Sequence, residues 1–145
     1  MYDTILVPTD GSAGTTKTLD HAIPIARAFD ATVYVVYVID TRVATAVGDD
    51  VRSDVTSSLR GDGQKALQRA AGRLEDADVA YETELREAHP HRGILFAAED
   101  HDVDLIVMGT RGRGSDDRSA GMGSVTRRVL DSERWPVLAV NIRRA

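Results

Sequence analysis

The stretch from Leu105 to Val125, LIVMGTRGRGSDDRSAGMGSV, decides the fold. Its first four residues, Leu105-Ile106-Val107-Met108, form an unbroken apolar run, the pattern of a strand buried on both faces. A helix-like run begins at Ser124. Between them lies a glycine-rich loop carrying Arg111 and Arg113. Glycines let backbone N–H groups approach an anion closely, because no Cβ intervenes. The start of a helix adds unpaired donors and partial positive charge. Two readings stand at this point: a phosphate cradle, or a glycine-rich surface turn with no ligand.

Outward from this stretch, apolar runs alternate with helical periodicity. Thr4 to Val7 reads as a first strand, and Leu19, Ala22, Ile23, Ala26 and Phe29 then recur at helical spacing. Val33 to Ile39 is a second strand. Residues 40 to 62 are less regular; Val55 and Leu59 hint at a helical turn, and the stretch from Asp40 to Gly63 is expected to be a long surface connection and the most mobile region. Leu67, Ala70, Ala71 and Leu74 mark a helix. Ala80 to Leu85 alternates as a less buried strand does. Ile94, Leu95, Ala97 and Ala98 give the apolar face of a third helix, Leu105 to Met108 the fourth strand, and Val125, Val129 and Leu130 a short fourth helix. Val137 to Val140 is a fifth strand opened by Pro136, where a missing N–H is tolerable. The order βαβαβαβαβ, with right-handed crossovers, predicts an open parallel sheet with helices on both faces.

The 145 residues predict one domain, 1–145, with 42% hydrophobic residues to build its core. No apolar run is long enough to span a membrane, and the N-terminus lacks the pattern of a secretory signal. The absence of cysteine excludes disulfides and thiolate metal sites and fits a cytoplasmic protein. A net charge of −5 argues against nucleic-acid binding. Lys17 and Lys65 are the only lysines, and the acids are mostly aspartate. A high-salt cytoplasm and a GC-rich genome both give that usage.

In such a sheet a ligand binds beyond the carboxyl ends of the strands, where the strand order reverses. Two segments qualify. One is the loop after Met108. The other follows the first strand, Val7-Pro8-Thr9-Asp10-Gly11-Ser12. Asp10 suits hydrogen bonds from ribose hydroxyls or a hydrated metal; its alternative role, shared with Ser12, is to cap the first helix. Other chemistries fall away. There is no GxxxxGK[ST], and no dinucleotide fingerprint follows the first strand. A phosphate-receiver domain needs an aspartate ending the third strand and a lysine ending the fifth; here those strands lead into Arg86-Glu87-Ala88-His89 and Asn141-Ile142-Arg143. His89, His91 and His101 raise a metal site, but Pro90 between the first two reads as a turn into the third helix. No serine is marked by a paired base.

The chain resembles the universal stress protein family throughout its length. The resemblance rests on Ile5-Leu6-Val7-Pro8-Thr9-Asp10-Gly11-Ser12, Val36 to Asp40, His89-Pro90, Leu105 to Arg113, Gly123-Ser124-Val125 and Pro136 to Val140. It implies the strand order 3-2-1-4-5. It implies ATP as the ligand, with Mg2+ or Mn2+, through a motif of Gly, two residues, Gly, nine residues, then Gly-Ser or Gly-Thr. Gly109, Gly112 and Gly123-Ser124 match, but the spacer from Arg113 to Met122 has ten residues. An inserted residue in a surface loop is tolerable, with Gly114 and Gly121 to absorb it. Asp116-Asp117 in the same loop would repel phosphate unless a divalent cation bridges them, and is expected to face solvent. Residue by residue, the resemblance assigns Asp10 to the ribose, Pro8, Thr9 and Val38 to the nucleoside with Val38 at the adenine, and Gly109, Gly112, Arg113, Gly123, Ser124 and Val125 to ribose and phosphates. It implies a stress-linked cytoplasmic regulator and not an enzyme. The alternatives are a slow ATP hydrolase or phosphotransferase, or a dimeric scaffold that binds no nucleotide. A homodimer through the apolar fifth strand is expected, because that strand lies at the sheet edge in the 3-2-1-4-5 order.

Overall fold

The computed structural model describes residues 1–46, 48–111 and 122–142. Five parallel strands form one sheet in the order β3-β2-β1-β4-β5, as expected. They are β1 (Thr4–Thr9), β2 (Thr32–Asp40), β3 (Tyr81–Ala88), β4 (Leu105–Gly109) and β5 (Val137–Val140). Helices α1 (Gly14–Phe29) and α3 (Asp49–Asp76) cover one face, and α4 (Pro90–Asp100) and α5 (Ser124–Asp131) cover the other. A short helix, α2 (Thr41–Thr45), follows β2.

The period-2 alternation of strands distributes β1 between the two layers. Ile5 and Val7 join Leu19, Ala22, Leu67 and Leu74 on the α1/α3 face. Leu6 joins Ile94, Ala97, Ile106 and Val129 on the α4/α5 face. All three β1 residues are fully buried, each contributing roughly 1.5–3 kcal/mol of apolar transfer free energy.

One expectation is overturned. The stretch from Asp40 to Gly63 is not a long surface connection: α2 and the first half of α3 occupy most of it, and α3 runs unbroken for 28 residues. The apolar stripe Val55, Leu59, Gly63, Ala66, Ala70, Leu74 keeps helical spacing, with Gly63 as its smallest member. There is no room at Gly63 for anything larger. A Cβ there would lie 2.7 Å from Leu85 Cδ1 and 2.8 Å from Tyr37 Cδ1. The glycine therefore sets how closely α3 approaches β2 and β3. β3 also runs three residues beyond the expected Leu85, to Ala88.

Pro8 sits in the central strand, where a proline is unusual. Its position explains the opening of the sheet. Backbone groups of odd-numbered β1 residues face β2 and those of even-numbered residues face β4, since the Asp3 carbonyl accepts from Thr32 and the Thr4 carbonyl from Asp104. The missing N–H of Pro8 is therefore on the β4 side. Pairing of β1 with β4 covers only Ile5↔Leu105 and Leu6↔Ile106, whereas pairing with β2 runs on to Thr9↔Tyr37. Beyond Leu6 the two neighbours part, and a crevice opens at the switch point.

After four of the helices the chain turns through a left-handed residue that is not glycine: Asp30, Asp78, Asp102 and Glu133, at φ of 53°, 61°, 49° and 56°. All four are acidic.

Candidate nucleotide site

The crevice between β1 and β4 is the mouth of a cavity of about 570 Å³ at the carboxyl ends of β1, β2 and β4, well inside the usual range for small-molecule sites. Three strand-end segments contribute to its wall.

The first is the turn after β1. The buried Thr9 hydroxyl accepts the Gly11 N–H at 3.1 Å and lies 2.7 Å from the Thr15 hydroxyl. Asp10 Oδ1 accepts the Ser12 N–H at 2.9 Å. Gly11 has a φ of +82°, which only glycine adopts without strain. The carboxylate thus shapes the turn from within. Neither Asp10 nor Ser12 caps α1 as the sequence suggested: the N-cap is Ala13, with no side-chain cap.

The second segment is the end of β2. Val38 lines the cavity, and α4 lies against it because Gly93 has no side chain. A Cβ at Gly93 would stand 2.7 Å from Val38 Cγ1. Asp40, the last residue of β2, caps α2 through the Arg42 N–H at 3.0 Å and grips the Arg42 guanidinium at 2.9 and 2.7 Å. The Arg42 hydrogen bonds hold the Asp40 carboxyl below the usual carboxylate range, against the opposing effect of burial.

The third segment joins β4 to α5, and Thr110 anchors it. Its N–H donates to the Val140 carbonyl at 2.8 Å, its hydroxyl accepts the Ile142 N–H at 3.0 Å, and its carbonyl accepts the Gly123 N–H at 2.6 Å. The Thr126 hydroxyl donates to the Gly109 carbonyl at 2.7 Å. Entry and exit of the loop are thus fastened to each other, independently of how many residues lie between. A ten-residue spacer is compatible with the same two posts. Gly123 has an ordinary φ of −66°; what it lacks is space, since a Cβ would lie 3.2 Å from the Thr110 carbonyl oxygen. It stands immediately before α5, whose first turn has no acidic residue and no side-chain cap. Among the described residues no side chain accepts from the first N–H groups of α5, which an intrahelical bond cannot satisfy.

Of the residues singled out from sequence, Pro8, Thr9, Asp10, Val38, Gly109, Gly123, Ser124 and Val125 all line this one cavity. Gly112, Arg113 and the Asp116-Asp117 pair lie outside the described residues. Val43, Leu59 and Asp62, on α2 and α3, also line the cavity and were missed; their signal was the i, i+4 continuation of the α3 stripe through Leu59. Thr110 and Thr126, both buried, were missed as well. His101 is remote from the cavity lining: it stacks on Tyr34 with ring centroids 4.2 Å apart and bonds Glu84 at 2.9 Å. Among the described residues no three His, Asp or Glu side chains gather as a metal site would require.

The sequence and the fold are similar to those of known proteins. Residues 1–141 match the universal stress protein family. A universal stress protein of Methanocaldococcus jannaschii is 38% identical over 143 residues, 97% of this chain and 82% of the relative. The chain belongs to the universal stress protein family. The solved structure of the M. jannaschii protein MJ0577, another universal stress protein, superimposes with a TM-score of 0.88 at 28% identity, covering 100% of this chain and 99% of that one. A universal stress protein from Archaeoglobus fulgidus, solved in complex with dAMP, shares the fold at 24% identity, with a TM-score of 0.71 over 96% and 98% of the two chains.

Proposed function

We propose that this universal stress protein is an ATP-binding regulator of the cytoplasm, working as a homodimer through β5 and serving stress responses by binding rather than by catalysis. The observation that carries the reading is the convergence on one cavity of Asp10, Val38 and the open start of α5. Each supplies a different recognition chemistry. Val38 offers an apolar surface to a base. Asp10 accepts hydrogen bonds from ribose hydroxyls. The α5 amides and the Ser124 hydroxyl donate to phosphate oxygens. Gly112 and Arg113 complete the phosphate side in this reading.

The charges of the cavity bear on the cation. Asp10, Asp40 and Asp62 line it with Arg111. Three carboxylates near a triphosphate favour a ligand that arrives with Mg2+ or Mn2+, whose charge offsets their mutual repulsion. The reading of binding rather than hydrolysis is supported by the charged groups described in the lining, which are carboxylates and Arg111. Asp40, held ionised by Arg42, is a poor proton acceptor.

Isothermal titration with ATP and Mg2+ tests the reading. Saturable binding is expected, weakened by chelator. Asp10→Asn keeps an acceptor for the Ser12 amide but loses the charge, so the turn survives and affinity falls about tenfold, the scale of a charged hydrogen bond. Absence of binding at millimolar ATP refutes the proposal.

A further inference from the structure

Five arginines form described ion pairs with carboxylates: Arg42 with Asp40, Arg60 with Glu87, Arg73 with Asp20, Arg86 with Glu84 and Asp100, Arg134 with Glu99. Among the other arginines, two with no described carboxylate partner stand where two helices begin beside the cavity. At the start of α4, beside the cavity-lining Pro90, stand His89, His91 and Arg92. Facing them on α5, one turn beyond the cavity-lining Ser124, stands Arg128. Among the described residues no carboxylate comes within ion-pair distance of His91, Arg92 or Arg128. Asp40 interacts electrostatically with His89 but is already gripped by Arg42.

These side chains are close enough to act on one another. Burial, then the positive charges of Arg128, Arg92, His89 and Arg42, lower the pKa of the half-buried His91 below the ordinary histidine value. The backbone adds to the same field. Both α4 and α5 begin here, and neither has an acidic residue in its first turn or a side chain capping it. A protein with a net charge of −5 has thus gathered positive charge with no carboxylate partner among the described residues at one place, beside the cavity-lining Pro90 and Ser124. Such a concentration costs stability through self-repulsion unless an anion occupies it.

We propose that His91, Arg92 and Arg128 form a second phosphate subsite on the cavity rim, which takes a phosphate lying further along the polyphosphate chain than the groups held at the start of α5. The inference rests on the nucleotide reading above and extends it. The preferred ligand is then a nucleotide with an extended polyphosphate chain rather than a monophosphate. Arginine suits this role, since its planar fork meets two phosphate oxygens at once.

Inorganic tripolyphosphate, AMP and adenosine 5′-tetraphosphate are the probes, each titrated into the full chain and into R92Q/R128Q, whose altered side chains are exposed. Affinity for tripolyphosphate and for the tetraphosphate should fall in the double variant by about tenfold or more, with AMP affinity unchanged. The His91 ring, followed by NMR, should titrate at higher pH when tripolyphosphate is present. Equal losses for AMP and tetraphosphate, or no loss for either, overturn the subsite. If AMP and the tetraphosphate fail to bind the wild type while tripolyphosphate binds it and is lost in the double variant, the rim holds an anion and the nucleotide reading is the part that fails.

Discussion

The sheet has two edges, and they are built in opposite ways. β3 pairs with β2 through eight consecutive registers, and it carries Glu82, Glu84, Arg86 and Glu87. Its charges are engaged within the chain: Arg86 bonds Glu84 and Asp100, His101 bonds Glu84, and Glu87 meets Arg60. β5 has four residues, Val137-Leu138-Ala139-Val140, with no charge among them. Both strands leave one row of backbone groups unpaired in the monomer. A charged edge deters a second strand, because pairing would strip water from groups that gain nothing in return. An apolar edge has no such deterrent. The difference teaches that the two ends of one sheet are suited to different ends: β3 to stay free, β5 to be covered.

The largest test strikes β5. The carbonyls of Pro136 and Val140 accept from Ile106 and Thr110 of the β4 segment. Alternation then turns the backbone of Ala139 away from β4. Ala139→Pro removes an outward donor while sparing the bonds to β4, and a homodimer through this strand should dissociate about 100-fold more readily. Sedimentation equilibrium checks the result; a wild type that is monomeric at high micromolar concentration removes the contrast.

Gly63→Ala strikes the support behind β3. The added methyl meets Leu85 and Tyr37, so overpacking should lower stability by about 1–3 kcal/mol, outweighing the roughly 1 kcal/mol gained in helix propensity. Urea unfolding measures the net loss. A net gain shows that α3 can draw back from β3 without penalty.

A third test separates keeping an edge free from keeping it stable. The Arg60–Glu87 pair spans 3.0 Å between half-exposed side chains, a geometry that contributes about 0.5 kcal/mol or less. Glu82→Val with Glu87→Val should therefore barely shift the urea midpoint, yet light scattering should rise with concentration as β3 becomes a second apolar edge. Unchanged scattering means the charges do not protect that edge.

The smallest effect concerns Asp40, whose register partner is Ala88 at the end of β3. Asparagine still caps α2, so Asp40→Asn removes only the charge beside Arg42. The folded-state pKa of Asp40 is depressed. Its contribution is present above the unfolded carboxylate pKa, near pH 4, and is lost as pH falls through the lower folded value. Melting curves of variant and wild type should differ slightly at pH 7 and coincide at strongly acid pH.

The five strands were legible because each is an apolar run or an alternation bounded by breakers. The first half of α3 was not. Asp-Ser-Thr-Gly composition hid a stripe whose middle member, Gly63, is a core residue only because Tyr37 and Leu85 fill its place. A glycine in a helical pattern usually marks a break; here it marks the tightest contact. In the site, Asp10, Val38, Gly109, Gly123 and Ser124 were singled out by the family resemblance, and they line one cavity. Thr110 was not, since its work depends on Val140, Ile142 and Gly123, distant in sequence and brought together by folding. The wall from α2 and α3 was lost with the helix that carries it.

The four acidic residues in left-handed turns after α1, α3, α4 and α5 bear on how this protein meets its solvent. Glycine or asparagine is the ordinary occupant of such a position, and a carboxylate there also faces the negative end of the helix, an unfavourable placement of about 0.3–1 kcal/mol at low ionic strength. Because salt screens that repulsion, these turns relax as ionic strength rises. At these four turns, concentrated electrolyte relieves a repulsion that dilute buffer leaves in full.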